Sequence, residues 1–402
     1  MGRAKAWMME QEERGYTEAE GDICSECVSD PFLAQWIDDN ATATVCRFCG
    51  RDGDEPIAAS FDEFIGVIVG AIGFDWNHPD NEGVMYVSAE GGYQAAVSDI
   101  YEVLDNYDIS EDADVVEALI ESIDDSGWIE RDYYIGDKSQ RLSWGWESFK
   151  QVTKHQTRYL FLSPNADGVS DLPASQMLDA IAEVLEDFDF VKTIGQEVDL
   201  IRVRIDPAAY ATAGEIGSPP EQHALQSNRM SPAGVPMFYG AFDDETAKAE
   251  TFDPVAHAGQ TLSIGTFHAV RDLQVLDLAD LPDIPSVFDA DRHYLIHPLR
   301  FLHAFAEDIA KPIAHDGREH IEYVPTQIVT EYFRRVFQRT DKTRLDGLIY
   351  RSSRQVNGKA FVLFCENSQC VDPGAKEVPW EEPLLRLVKV AHAPCPVPPA
   401  SI

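Results

Sequence analysis

The sequence predicts an α+β chain, with a zinc ribbon and a mainly helical N-terminal region followed by a mixed α/β domain. Three observations carry that prediction. Cys24-Ser-Glu-Cys27 and Cys46-Arg-Phe-Cys49 set two C-x2-C turns 18 residues apart, a spacing that suits a four-thiolate zinc site. From about residue 55 to 165 the pattern is mostly helical and strongly acidic. From about residue 196 it changes to short apolar strands separated by helical stretches.

In chain order, residues 1–20 form a charged leader read as helical, and residues 21–52 form the ribbon. Each C-x2-C turn points two sulfurs at one metal, and Gly50 can take the positive φ that such a knuckle needs. Disulfides are the other use of paired cysteines, and a reducing compartment disfavours them. Four protein ligands leave the Zn2+ no open position, so its expected role is structural. Cys365, Cys370 and Cys395 have no metal spacing and read as plain thiols.

Residues 53–170 read as an acidic helical domain. The run FIGVIVGAIGF (64–74) fits a buried helix or strand, and Val115, Val116, Ala118, Leu119 and Ile123 recur at helical spacing. Trp144, Trp146, Phe149, Val152 and Tyr159 suggest an aromatic seam used for packing. Residues 171–195 read as a connector, with Pro173 at the start of a helix over Ala174–Phe188 and one stripe of Met177, Leu178, Ile181, Val184, Leu185 and Phe188. In 196–390 the strands are DLIRVRI, VPMFYGAF, TLSIGTFHAV, LQVLDL, LDGLIY and KAFVLF, with helices over 244–252, 297–310 and 326–339. The proline-rich residues 391–402 read as a disordered tail.

Charge narrows the partners. Over 402 residues, 70 acidic against 32 basic side chains give a net charge of −38. Duplex DNA, RNA and anionic membranes need a basic face, so direct nucleic-acid binding is not expected. A ligand phosphate would have to bind in a pocket where arginines override the global field. No apolar run reaches the ~18 residues of a spanning helix. The N-terminus has no apolar core of a secretory signal, so the expected location is the cytoplasm.

Candidate site residues gather in the second half. With period two, Ile201, Val203 and Ile205 face one side of a strand while Arg202 and Arg204 face the other. Such a pair either meets carboxylates and solvent or holds phosphates, and spacing leaves both open. Arg229 adds a third guanidinium ahead of a Ser-Pro-Ala-Gly turn, and a strand then ends near Tyr239. Asp243 or Asp244 caps a helix that carries Glu250, with Thr246 and Ala247 on the same face. A lone helical glutamate is usually solvated.

The stretch RMSPAGVPMFYGAFDDETAKAE resembles the signature of the RES family of bacterial toxins. YVPTQIVTEYF, LDGLIYRSS and KAFVLF resemble that family's closing blocks, so the similarity covers about 196–385. CSEC, CRFCG and SWGWESF…KHQTRYLF resemble the zinc-bearing domain found ahead of RES domains and of some HEPN ribonuclease domains. The resemblance implies an ADP-ribosyltransferase-like fold that consumes NAD. It puts the family's Arg on Arg202, with Arg229 as the alternative, its Glu on Glu250, its Ser on Ser352 with Ser353 as the alternative, and its strand-end tyrosine on Tyr239. Where some members carry a second tyrosine after the opening Arg, this chain has Val203.

Under that resemblance Glu250 would hold a ribose hydroxyl as positive charge develops on the sugar. Arg202, Arg204 and Arg229 would clamp the diphosphate, Tyr239 would stack the ring, and Ser352 would hold the ribose or polarise the amide. The implied function is an NAD-degrading toxin or phage-defence effector, of glycohydrolase or phosphorylase type. Transfer of ADP-ribose to a protein is the alternative. A helix-turn-helix antitoxin of the Xre type or another regulator is the implied partner, and a homo-oligomer stays open. Two rivals come from other classes: a ribonuclease using the R-x4-H pair Arg292 and His297, and a non-enzymatic recognition protein. His303, His315 and His320 form no metal pattern, and no G-x-G-x-x-G or Walker loop occurs.

Overall fold

The computed structural model describes residues 14–89, 91–124, 127–162, 172–186, 188–311, 317–375 and 382–395. They fall into two compact units, Met1–Gln140 with Asp283–Arg300, and Arg141–Pro282 with Phe301–Ile402.

In the first unit β1 (Asp22–Cys24) pairs antiparallel with β2 (Ala58–Ser60). Between them α1 (Pro31–Asp39) starts at Asp30, whose carboxylate accepts from the Phe32 and Leu33 N–H groups, with Pro31 just inside. The apolar run 64–74 resolves as helix, inside α2 (Phe61–Asp75), and buries Phe61, Phe64, Ile65, Ile68, Ala71 and Ile72. Two short antiparallel pairs follow: β3 (Trp76–Asn77) with β6 (Ile129–Glu130), and β4 (Tyr86–Val87) with β5 (Gly92–Tyr93). Between β5 and β6 lie α3 (Ile100–Leu104) and α4 (Ala113–Ser122), capped by Asp99 and Asp112. One core joins these elements, from Ile23, Leu33 and Phe64 to Val115, Leu119 and Phe288. Of the leader's described residues, Arg14 is helical and an extended stretch follows. Tyr16 bridges to Ile123 and the Thr17 N–H donates to the Ser122 carbonyl, while residues 1–13 lie outside the described residues.

Among the described residues the second unit is built on nine strands: β7 (Val191–Ile194), β8 (Leu200–Asp206), β9 (Phe238–Ala241), β10 (Thr261–Ala269), β11 (Leu273–Asp277), β12 (Gly347–Arg351), β13 (Lys359–Leu363), β14 (Cys370–Val371) and β15 (Leu385–Pro394). Their order across the sheet is β14-β15-β10-β8-β9-β13-β12-β11-β7. Pairing is antiparallel except for β11 with β12 and β14 with β15. The helices are α5 (Lys138–His155, mostly in this unit), α6 (Met177–Glu186), α7 (Ala213–Ile216), α8 (Asp244–Thr251), α9 (His293–Ala310, shared between the units), α10 (Glu319–Glu322) and α11 (Val324–Arg335).

Strand alternation gives the sheet two different faces. Leu200, Phe238, Phe267, Ile349, Phe361 and Leu363 pack on one face with Ala213 and Ile216 of α7. Ile201, Val203, Ala241, Leu262 and Ile264 pack on the other, under Ala247 of α8.

Several expectations are corrected. Residues 174–176 form a 3-10 turn before α6, which ends at Glu186, so Phe188 lies beyond the helix and stacks on Phe190. Trp144 is 55% and Tyr159 90% exposed; the buried seam is Trp146, Phe149 and Val152, closed by Phe161 and Phe305. Residues 391–394 are strand, not tail, because β15 pairs with β10 out to Pro394 opposite Thr261. A terminal position on a strand tolerates a residue without an N–H. Residues 396–402 lie outside the described residues.

Candidate active site

Helix α8 delivers Glu250. Asp243 is its N-cap, accepting from the Thr246 N–H at 2.7 Å and from the Thr246 hydroxyl at 2.8 Å. Thr246 and Ala247 are buried against the sheet, which leaves Glu250, one turn further on, half-buried at the edge of that contact. Ser352 arrives from the opposite direction, one residue past the end of β12. Its hydroxyl donates to Glu250 Oε1 at 2.5 Å and accepts from the Gln355 and Arg354 N–H groups at 3.0 and 3.2 Å. Ser353 is exposed and makes no hydrogen bond among the described residues, so of the two candidate serines it is Ser352 that meets the glutamate. The turn 352–358 lies against α8: a Cβ on Gly358 would sit 2.6 Å from Thr246 Oγ1.

Tyr239 of β9 faces the same side as Ala241, the α8 side. Its hydroxyl shares a 2.8 Å hydrogen bond with Ser231, and burial pushes its pKa up to about 12, so it stays a neutral phenol. Helix α11 fixes the loop that carries Ser231 and Arg229. Thr326 donates to the Arg229 carbonyl at 2.5 Å, and Gln327 Nε2 donates to the Asn228 and Ser231 carbonyls. One guanidinium nitrogen of Arg229 donates to the Ala310 carbonyl at 2.8 Å. The stretch YVPTQIVTEYF thus acts as a clamp on the arginine loop.

Sequence reasoning missed Tyr350. It lies on β12 two residues before Ser352, hence on the same face, and β13 separates it from β9 in the sheet. Burial raises its pKa, the Glu250 carboxylate and Tyr239 raise it further, and Arg229 opposes them. The i, i+2 relation to Ser352 was the available signal. Val203, on this face in β8, is packed with Ile201, Ala241 and Ala247, so the aromatic residues at this site come from β9 and β12.

Arg202 and Arg204 share a face as period two requires, but it is the other face. Arg202, 9% exposed, lies over the Phe238 ring at 5.1 Å and donates to the Ile216 and Tyr239 carbonyls at 2.8 and 2.6 Å. It fills the place where β8 and β9, paired only at Ile201 and Ala241, part from one another. Burial lowers its pKa to about 9, and neighbouring Arg204 adds to the shift. Arg204 donates to the Gly217 carbonyl at 3.3 Å. Both guanidiniums therefore hold backbone carbonyls of the α7 region, whereas Arg229 lies on the Glu250 side. Cys365 and Cys370, expected as unconnected thiols, touch one another at 3.6 Å on the Arg202 side.

In the first unit the four predicted cysteines converge. Sγ distances are 3.7 Å for Cys24–Cys27, 3.5 Å for Cys24–Cys49 and 3.7 Å for Cys27–Cys46, and all four sulfurs lie within 4.8 Å of one another. Sulfurs about 2.3 Å from a tetrahedral zinc stand roughly 3.8 Å apart, so the cluster fits such an ion. Gly50 has φ +69° as expected and donates to the Cys46 carbonyl at 3.1 Å. No other metal-binding group occurs among the described residues.

Arg292 is ion-paired to Asp289, and the His297 ring lies on Phe74 at 5.1 Å beside Asp137 at 3.3 Å. Burial lowers the His297 pKa, with Asp137 opposing. Each member of the R-x4-H pair thus has a local structural partner. His303 bonds the Pro282 carbonyl, His320 is exposed, and His315 lies outside the described residues.

The family described as HEPN/RES N-terminal domain 1 matches residues 39–167, and the family described as RES domain matches residues 200–381. No curated protein and no solved structure matches the chain.

Proposed function

Because this chain belongs to the RES-domain family and carries a HEPN/RES N-terminal domain ahead of that domain, we propose that it cleaves the nicotinamide–ribose bond of NAD at Glu250 and Ser352. RES domains are linked to enzymes that act on NAD. The observation that supports the reading best is the 2.5 Å hydrogen bond between those two residues, which come from a helix and a strand end 102 positions apart.

When the C–N bond to nicotinamide breaks, its electron pair leaves with the ring nitrogen and positive charge builds on the ribose. Glu250 Oε2 would accept from a ribose hydroxyl, and its charge is worth more as the sugar becomes cationic. A hydrogen bond to a charged group contributes roughly 1.5–3 kcal/mol, one to two decades of rate by transition-state arithmetic. Ser352 holds the carboxylate in place. Tyr239 supplies a neutral ring beside the leaving group, and Arg229 a positive charge for the diphosphate. Arg202 and Arg204 act from the other face by holding the α7 region and the strand of Tyr239. An oxygen of water, phosphate or a protein side chain then bonds to the ribose C1′.

The four cysteines would hold Zn2+ as a structural ion, with no coordination position left for substrate. NAD depletion or ADP-ribosyl transfer would arrest the host cell, which suits a toxin or defence effector in the cytoplasm held in check by an antitoxin or another regulator. The test is NAD consumption by purified protein, wild type beside Glu250→Ala, with and without phosphate. Loss of NAD that persists in Glu250→Ala would overturn the reading.

A further inference from the structure

Tyr350 presents a polar group that the folded chain itself does not use. The residue is 6% exposed and sits in a central strand, paired through Ala360 to β13. A phenol this buried ordinarily finds a hydrogen-bond partner. Among the described residues the Tyr350 hydroxyl has none, whereas Tyr239, on the same face, is bonded to Ser231. The hydroxyl is not sealed away either, since it is not among the fully buried side-chain atoms of the described residues that lack a hydrogen bond. It therefore keeps some contact with solvent, on the face that carries Ser352 about 7 Å further along the chain. Glu250 is near enough for its charge to act on the phenol; its Oε1 is taken by Ser352, and Oε2 has no hydrogen bond among the described residues.

We propose that Tyr350 is a substrate-binding residue, its hydroxyl donating to the 3′-hydroxyl oxygen of the nicotinamide ribose, whose 2′-hydroxyl donates to Glu250. An acceptor and a donor side by side match a cis-diol, in which one oxygen gives a proton and the other receives one. Burial, the Glu250 charge and Tyr239 all keep the phenol protonated, with Arg229 opposing, so it remains a donor throughout the neutral range. The inference rests on the NAD reading and adds a second contact to it.

The experiment is a cycle between Tyr350→Phe and an NAD analogue lacking the ribose 3′-hydroxyl, read as kcat/KM. Tyr350→Phe keeps the ring and removes the donor, and a melting temperature near wild type confirms the fold. Losing a neutral hydrogen bond that leaves a group unpaired lowers kcat/KM by about 10-fold. With the deoxy analogue, wild type and Tyr350→Phe should then be equal, because the partner oxygen is gone. An unchanged kcat/KM for NAD in Tyr350→Phe, or an equal loss on NAD and on the analogue, overturns the assignment while leaving the NAD reading standing. Absence of cleavage by wild type, or cleavage indifferent to Glu250→Gln, overturns both.

Discussion

Ser352 donates its hydroxyl proton to Glu250 Oε1 at 2.5 Å while accepting two backbone N–H groups of its own turn. The serine is held by the backbone and in turn holds the carboxylate. Two positions 102 residues apart therefore act as one unit, and unequal effects follow when each is removed.

Glu250→Gln is expected to lower kcat for NAD cleavage by about two orders of magnitude or more, since it removes the charge that opposes developing positive charge. Ser352→Ala keeps that charge but frees its position, so a loss of about 10-fold is expected. Ser353→Ala should match wild type. Equal losses for Ser352→Ala and Ser353→Ala in steady-state assays would contradict the pairing.

The arginines separate stability from substrate affinity. Arg202→Lys trades two carbonyl bonds, to Ile216 and Tyr239, for a point charge that cannot bridge them. It should lower the melting temperature by several degrees, from a loss on the order of 2 kcal/mol. Arg229→Lys loses a single carbonyl bond and should melt close to wild type while raising KM for NAD. Calorimetry and kinetics on the same two variants decide this, and the reverse pattern would put the ligand on the Arg202 face.

Much of this was legible from local chemistry. The Asp243 cap, the C-x2-C pairs and the alternation of Arg202 with Val203 depend on neighbours a few residues away. Which face of the sheet carries the candidate site was not legible. Period two groups Arg202 with Arg204, but only the crossing of α8 over Ile201, Val203 and Ala241 decides that Glu250 stands on the other side. LDGLIY was legible only as a strand, because what singles out Tyr350 stands across β13, on β9. The closing strand β15 was hidden by its polar residues and the proline-rich stretch that begins at its end, Pro394, which a terminal strand position tolerates once β10 supplies the pairing.

The cysteine cluster predicts about one zinc per chain by elemental analysis, falling well below that in Cys27→Ser. Chelation should lower the melting temperature, because binding to the folded state alone adds to stability. Protein that is free of zinc as purified, with melting indifferent to chelator, would refute the assignment.

Asp308 provides the pH test. Burial pushes its carboxyl up, but Lys150 at 2.8 Å and the Trp146 indole at 2.8 Å outweigh burial, and its pKa lies below the usual range. A carboxylate with a depressed folded pKa adds stability that is fully present above its unfolded value, about 3.9, and is lost as pH falls through the folded value. Asp308→Asn should therefore lower the melting temperature at pH 7 by several degrees, for a loss on the order of 2 kcal/mol, with the gap narrowing below about pH 4. A gap that stays constant from pH 7 to 3 would remove the electrostatic explanation.

Gly358 links the serine turn to the glutamate helix by contact alone. A Cβ there would approach Thr246 Oγ1 to 2.6 Å and Gln355 Cβ to 2.9 Å, so Gly358→Ala should push the turn away from α8 and stretch the Ser352–Glu250 bond. The expected result is a kcat loss similar to that of Ser352→Ala, about 10-fold. Thr246→Ala removes the nearer obstacle but keeps the backbone N–H that Asp243 caps. Combining Thr246→Ala with Gly358→Ala should thus recover part of the lost rate. If the double variant is as slow as the product of the two single effects predicts, close packing of the turn on α8 does not set the position of Ser352.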